Sequence, residues 1–548
     1  MYVIDAVLSD DIFNVIKVIF VFTIILLSIW VINIIFSWYD KVKMERLHIS
    51  ILSELMQKTI NLDLSFFDNT TSYDKYNRAY ANCCNVVNSV NSIISTFILS
   101  LTNTLLISSL LVWMDLYMYL LMFATIFLNL ILTNLIKKRD YVYNFKVSEK
   151  NKQLNYIYRL FYIPQLIREV KTSNLSSFAL GLKSNFDKCT IELIKANIKE
   201  KMPYQSVSGI WNLLESSFVA LYFGVSVVLK KIAISQYFTY VNAYSQFKNT
   251  ILQFGDVYSK LYSNSMYARD YIEFLNSEES HTLNTSGETL DKINEIEFCH
   301  VTFRYPNCKS NALYNISFKI SAGEKTAVIG KNGAGKTTII KLLLRLYDPQ
   351  SGEIFVNHKN IKQYNTESLR NAICVLFQDY AIYAFSIRDN ISLGRKIEEK
   401  KIWDALEQMD LKEKINGFER SIDTPITSQL YPDGVELSGG ESQKMAICRL
   451  YVSNASVLAM DEPTSSLDPR SEYLLYKRIM EEKRADSIFI VISHRLTLTY
   501  KMSKIIVIDN GHVAEQGTHE ELMKNRSIYY EMYQLQANKY IDMQDSKE

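Results

Sequence analysis

Residues Gly330 to Thr338 read GKNGAGKTT, and the spacing GxxxxGK[ST] combines three residue types that together suit a polyphosphate. Gly330, Gly333 and Gly335 permit positive φ, so that successive backbone N–H groups can turn inward toward phosphate oxygens. Lys336 adds a point charge for β and γ phosphates, and the Thr337 hydroxyl is placed to ligate Mg²⁺. Further along, VLAMD at Val457 to Asp461 is an apolar run ending in a carboxylate suited to the same cation, and Glu462 beside it can orient and activate water. A third run, SIFIVIS at Ser487 to Ser493, ends at His494.

These residues need elements that deliver them to one place. Lys325 to Ile329 (KTAVI) reads as a short buried strand and Thr337 to Tyr347 (TTIIKLLLRLY) has helical apolar spacing, so the glycine loop joins strand to helix. The helix N-terminus then adds its partial positive charge to the cradle. The runs ending at Asp461 and Ser493 read as further buried strands, and the ends of such strands are where a parallel sheet places a nucleotide. From about Asp291 onward short apolar strands alternate with charged helices, the pattern of an α/β domain.

The 548 residues leave room for two or more domains, and 60 Lys+Arg against 58 Asp+Glu give no basic excess, which argues against a nucleic-acid partner. The seven cysteines are scattered without paired CxxC spacing for zinc, and read as reduced thiols, the adjacent Cys83 and Cys84 included. The 36 tyrosines read as compositional. Residues 1–275 form an all-α transmembrane domain, 276–290 a polar linker around NSEESHTLNTSGE, and 291–540 the nucleotide-binding domain.

Crossing a bilayer takes roughly 20 apolar residues. Five segments meet that, near 12–38, 92–113, 116–136, 207–229 and 234–257, the last being the most interrupted by polar residues. The first is not a cleaved signal peptide, because it is too long and follows Asp5, Asp10 and Asp11 rather than a basic stretch. Lys41, Lys43 and Arg46 after the first segment and Lys137, Lys138 and Arg139 after the third mark cytoplasmic ends. Five crossings from an outer N-terminus deliver the nucleotide domain to the cytoplasm, with Lys230 and Lys231 a mild exception on the outer side. The cytoplasmic connections, about 37–91 and 137–206, are long and helical in pattern, as a mechanical link would be. Glu215 is the only acidic residue inside a strongly apolar crossing, and with Lys248 it is a candidate for a water-filled transport path.

In motif order the second half resembles an ATP-binding cassette (ABC) domain, an α/β P-loop NTPase. Tyr305 in FRYP resembles the aromatic that stacks on adenine, and Gly330 to Thr338, with Asn332 and Thr338, resembles the Walker A loop. Gln378 in LFQD resembles the glutamine that contacts Mg²⁺ and the attacking water. Ser438, Gly439 and Gly440 in LSGGE resemble the signature that binds the γ-phosphate of ATP held by the opposite subunit, with Glu441 where the family most often has Gln. Asp461 resembles the Walker B aspartate, Glu462 the catalytic base, Ser465 to Asp468 the D-loop and His494 the switch histidine.

The first half resembles the exporter-type half-transporter of this family, whose six crossings and LSFFD-like motif (Leu64 to Asp68 here) imply that the first visible crossing is the family's second helix and that the first is absent. The same resemblance puts coupling helices at Asn69 to Tyr76 and about Thr172 to Leu182. It implies an ATPase using ATP and Mg²⁺, a second half-transporter subunit as homodimer or heterodimer, surrounding lipid and a transported substrate. The setting is multi-pass in a bacterial cytoplasmic membrane, with the ATPase domain in the cytoplasm. TSQLYPDGVE at Thr427 to Glu436 and QDYAIYAFSIRDNI at Gln378 to Ile391 lean toward bacterial peptide or bacteriocin exporters. The alternatives are a lipid or drug exporter, or a membrane-bound regulatory ABC ATPase that moves nothing.

Overall fold

The computed structural model describes residues 12–111, 116–277, 282–428, 430–462, 486–493, 496 and 499–545. His494 and Ser465 to Asp468 lie outside these residues. The chain divides into two compact units, one running to Met56 and resuming over Lys75–Asn276, the other made of Gln57–Asp74 with Ser277 onward.

The first unit is built from very long helices. They are α1 (Ile12–Ile60), α3 (Thr70–Leu111), α4 (Leu116–Tyr162), α6 (Leu175–Val228) and α7 (Ile234–Leu275), with the short α5 (Pro164–Thr172) between α4 and α6; the short α2 (Leu64–Asp68), between α1 and α3 in sequence, belongs to the second unit. The 49 residues of α1 span about 74 Å at 1.5 Å each, more than twice a hydrocarbon core of about 30 Å. Among the described residues four helices are long and apolar enough to cross a membrane, over Ile19–Ile60, Ser89–Ser108, Tyr117–Asp140 and Leu175–Val228. α7 is as long as α3, but its Gln, Asn and Lys content keeps it out of that set.

Helices α4, α6 and α7 meet around a small apolar core of Met118, Met122, Ile126, Val219, Phe223 and Tyr244. Inside it lies a polar centre. Glu215, 3% exposed, accepts from Lys248 Nζ and Tyr244 Oη at 2.7 Å each and from Thr125 Oγ1 at 3.0 Å. Asn129 and Asn212 bond one turn away, joined by Ser208. Glu215 and Lys248, the candidates for a water-filled path, are paired with each other, since a buried charge in an apolar setting is tolerable only when paired and hydrogen-bonded.

The short helices sit a few residues before the expected coupling segments. α2 is LSFFD itself, and residues Thr70 to Tyr76 open α3, with Asn69 between the two helices accepting through Oδ1 from Thr71 N at 3.0 Å. Likewise α5 ends at Thr172, and α6 starts at Leu175. In both places a polar residue that bonds the following backbone stops one helix and starts the next.

The second unit carries two sheets. An antiparallel one has the order β2 (Leu313–Ser321), β1 (Glu295–Phe303), β4 (Ser351–Val356), β5 (Lys359–Asn360). The other has six strands in the order β10 (His512–Gly517), β9 (Lys504–Asp509), β3 (Lys325–Gly330), β8 (Ile488–Ser493), β7 (Val457–Asp461), β6 (Ile373–Leu376). It is parallel from β9 to β6, with β10 antiparallel at its edge. β7 and β8 are buried at every residue, which is why they read as unbroken apolar runs rather than alternating ones. The unit's helices include α8 (Lys336–Leu343), α9 (Thr366–Asn371), α10 (Ile387–Ser392), α11 (Glu399–Gln408), α12 (Lys412–Asn416) and α13 (Gly439–Val452). α14 (His519–Asn525) and α15 (Ile528–Asp545) close the chain. α2 packs within this unit, where the Tyr347 hydroxyl donates to Asp68 Oδ2 at 2.6 Å.

Candidate functional site

The parallel order puts the C-terminal ends of β3, β8 and β7 side by side, and the glycine loop leaves β3 at that edge. The loop cannot carry side chains where it turns. Gly330 has φ +154°, and a Cβ there would lie 2.1 Å from Ile508 O; Gly335 has φ +101°, and its Cβ would lie 2.5 Å from Ala312 O. Glycine lets the loop lie against β9 and the start of β2, and α8 then begins at Lys336. The helix is shorter than the apolar spacing predicts, ending at Leu343 rather than Tyr347.

Lys336 is 6% exposed, and its ammonium donates to Gly330 O at 2.9 Å and Lys331 O at 3.0 Å. Burial pulls its pKa below the usual lysine value, against the raising effect of Glu462 and Asp461. Thr337 Oγ1 donates to Asp461 Oδ2 at 2.6 Å, across 124 positions of sequence. Burial raises the pKa of Asp461, and the Thr337 hydrogen bond acts against that rise. Gln378 Nε2 donates to Glu462 Oε2 at 3.0 Å, and Glu462 sits at φ +47°, a left-handed conformation uncommon for a residue with a side chain.

A cavity of about 500 Å³ is lined by Tyr305, Asn332, Gly333, Gly335, Lys336, Thr337, Thr338, Gln378 and Glu462 among others. Tyr305 Oη lies 3.0 Å from Thr338 Oγ1, with the Lys341 ammonium 5.4 Å from the ring centroid. The Tyr347 ring meets Tyr305 edge-on at 5.3 Å, a contact that no local spacing announced. Ser438, Gly439 and Gly440 do not line this cavity; they form the start of α13. There Ser438 Oγ accepts from Glu441 N at 3.3 Å and Glu441 Oε2 accepts from Ser438 N at 2.9 Å, a reciprocal cap.

A family model described as ABC transporter matches residues 313–465, which take in the glycine loop, the signature and Asp461 with Glu462. The match identifies the nucleotide-binding part of this chain as an ABC transporter domain. The chain joins a helical membrane domain to an ATP-binding, ATP-hydrolysing domain of that family. Over 488 residues it is 28% identical to the subtilin transport ATP-binding protein SpaT of Bacillus subtilis, covering 87% of this chain and 78% of that protein. It is 35% identical over 244 residues to YgaD of Bacillus subtilis strain 168, described as a multidrug export ATP-binding/permease protein. That match takes in 44% of this chain and 41% of YgaD. Among solved structures, a bacterial Atm1-family ABC exporter with ATP bound shares the fold at TM-score 0.71 and 22% identity, over 97% of this chain and 93% of that one.

Within this domain the positions that the motifs single out thus fall into two groups. Lys336, Thr337, Gln378 and Glu462 line one cavity, with Asp461 hydrogen-bonded to Thr337 behind it, whereas the signature does not line it.

Proposed function

We propose that this chain is one half of an ATP-driven exporter of a bacterial cytoplasmic membrane, working as a dimer with peptide as the favoured substrate class. The observation that carries this reading is the division of the site: the phosphate cradle and the hydrolytic carboxylate line one cavity, and Ser438 to Gly440 do not. Two chains placed head to tail unite them, with each ATP held between Lys336 and Thr337 of one chain and Ser438 and Gly439 of the other. Ser438 Oγ accepts its hydrogen bond from Glu441 N, which leaves the hydroxyl proton to donate to a γ-phosphate oxygen.

Thr337 and Asp461 fit Mg²⁺, since a hydroxyl and one carboxylate at 2.6 Å form the kind of sparse oxygen set that this cation completes with phosphates and water. Bound there, Mg²⁺ would neutralise charge on the phosphates. Glu462, oriented by Gln378, takes the proton of the attacking water, and Tyr305 offers its ring to the adenine. His494, the next residue in sequence after β8, would contact the γ-phosphate. Closure of the nucleotide domains moves the helices continuous with the membrane crossings, which turns the transport path outward. The peptide preference is supported by similarity to a protein named for subtilin transport over most of this chain.

The test is Glu462→Gln in the purified full-length dimer. Phosphate release falls by a factor of about 10² or more while ATP affinity stays within about twofold of wild type, the signature of a residue used only in the chemical step. Undiminished phosphate release contradicts the assignment. An active wild-type dimer that drives no peptide uptake into inverted vesicles contradicts the export reading.

A further inference from the structure

The signature of this chain ends in a carboxylate, Glu441, and that places a full negative charge one hydrogen bond away from Ser438. If the two-chain site proposed above is right, the partner chain's ATP brings its γ-phosphate to this same helix start. Two like charges would then face each other in a closed, partly dried interface, where repulsion costs more than in open water. A carboxamide could cap the helix equally well without any charge.

The second oxygen of Glu441 shows how the charge is handled. Glu441 Oε1 accepts from Lys414 Nζ at 2.7 Å, while Oε2 remains on Ser438 N. Lys414 lies on the short helix α12, 27 positions earlier in sequence, and its pairing holds the carboxyl below the usual glutamate range. The carboxylate is therefore ionised at neutral pH, and the ammonium beside it cancels the charge.

We propose that Lys414 is a positioning residue for the signature: it is the counter-ion that allows a carboxylate at position 441 to cap α13 without repelling the nucleotide of the opposite subunit. The lysine acts through Glu441 and does not itself touch the phosphate. This rests on the two-chain reading of the site.

The test is the ATP dependence of hydrolysis by the full-length dimer carrying Lys414→Ala, Lys414→Arg, Glu441→Gln or Lys414→Ala with Glu441→Gln. Lys414→Ala raises the KM for MgATP about three- to fivefold, as expected for a partly exposed ion pair, with kcat within about twofold of wild type. Lys414→Arg stays close to wild type. Removing the carboxylate together with the lysine returns KM to that of Glu441→Gln alone, and the Lys414→Ala deficit shrinks as ionic strength rises. If Lys414→Ala leaves KM unchanged, or if the double variant is as impaired as Lys414→Ala, the lysine is not acting through Glu441 and the proposal falls. A folded wild-type dimer without ATP hydrolysis would overturn the two-chain reading first, and this proposal with it.

Discussion

Lys336 and Lys248 are both ammonium groups withdrawn from water, in the two different units of the molecule, and they are satisfied in opposite ways. Lys248 has a carboxylate of its own, Glu215, whose side chain is 1% exposed, with Tyr244 and Thr125 completing the set of donors. Lys336 instead donates to the carbonyl oxygens of Gly330 and Lys331, with burial weakening its hold on the proton. The first cation is neutralised by the fold, and the second is kept for an anion that arrives from outside. The units differ in the same sense at their surfaces. The apolar window of α1 is wholly unburied, with Trp30 61% exposed, as suits lipid, whereas β7 and β8 bury every residue, as suits water.

Breaking each lysine tests this contrast. The larger effect belongs to the membrane unit: Lys248→Met strands Glu215 without its cation and destabilises that unit by about 3–5 kcal/mol. Glu215→Gln added to Lys248→Met recovers most of the loss, and thermal unfolding of the purified protein in detergent reads both. Equal destabilisation in the single and double variants would mean that the pair is not what holds α4, α6 and α7 together. The next effect is on ligand rather than on fold. Lys336→Met weakens ATP binding about a hundredfold, roughly 2.7 kcal/mol, in equilibrium titration with a fluorescent ATP analogue. It leaves thermal stability unchanged or higher, since it removes a charge whose desolvation outweighs the favourable effect of nearby Glu462 and Asp461. A stability loss as large as that of Lys248→Met would erase the distinction.

What the sequence made legible was whatever is repeated locally. GKNGAGKTT sits at the end of β3, and VLAMD is β7 itself, because a strand buried on both faces must be apolar throughout and a phosphate loop needs glycines at fixed offsets. Glu215 drew notice as a lone carboxylate in an apolar crossing, but its partners on α4 and α7 lie 90 and 33 positions away. Tertiary packing brings such pairs together, and no period in one helix encodes it. The Glu441 pair with Lys414 and the Tyr347 contacts with Asp68 and Tyr305 were hidden for the same reason. The short helices α2 and α5 just before the expected coupling segments were not legible either, since their ends are short polar caps whose geometry depends on the helices that follow.

The central claim is that each hydrolytic site is shared between two chains, and complementation tests it most directly. Lys336→Ala removes the cradle and Ser438→Arg blocks the signature, so each variant alone forms dimers with no working site. In a mixed dimer, one site combines the intact Lys336 of one chain with the intact Ser438 of the other. Random exchange of equal amounts of the two variants makes half the dimers mixed, each with one good site, so ATP hydrolysis recovers to about a quarter of wild type. Mixed dimers that form, as shown by co-purification through two different tags, yet hydrolyse no ATP would contradict it.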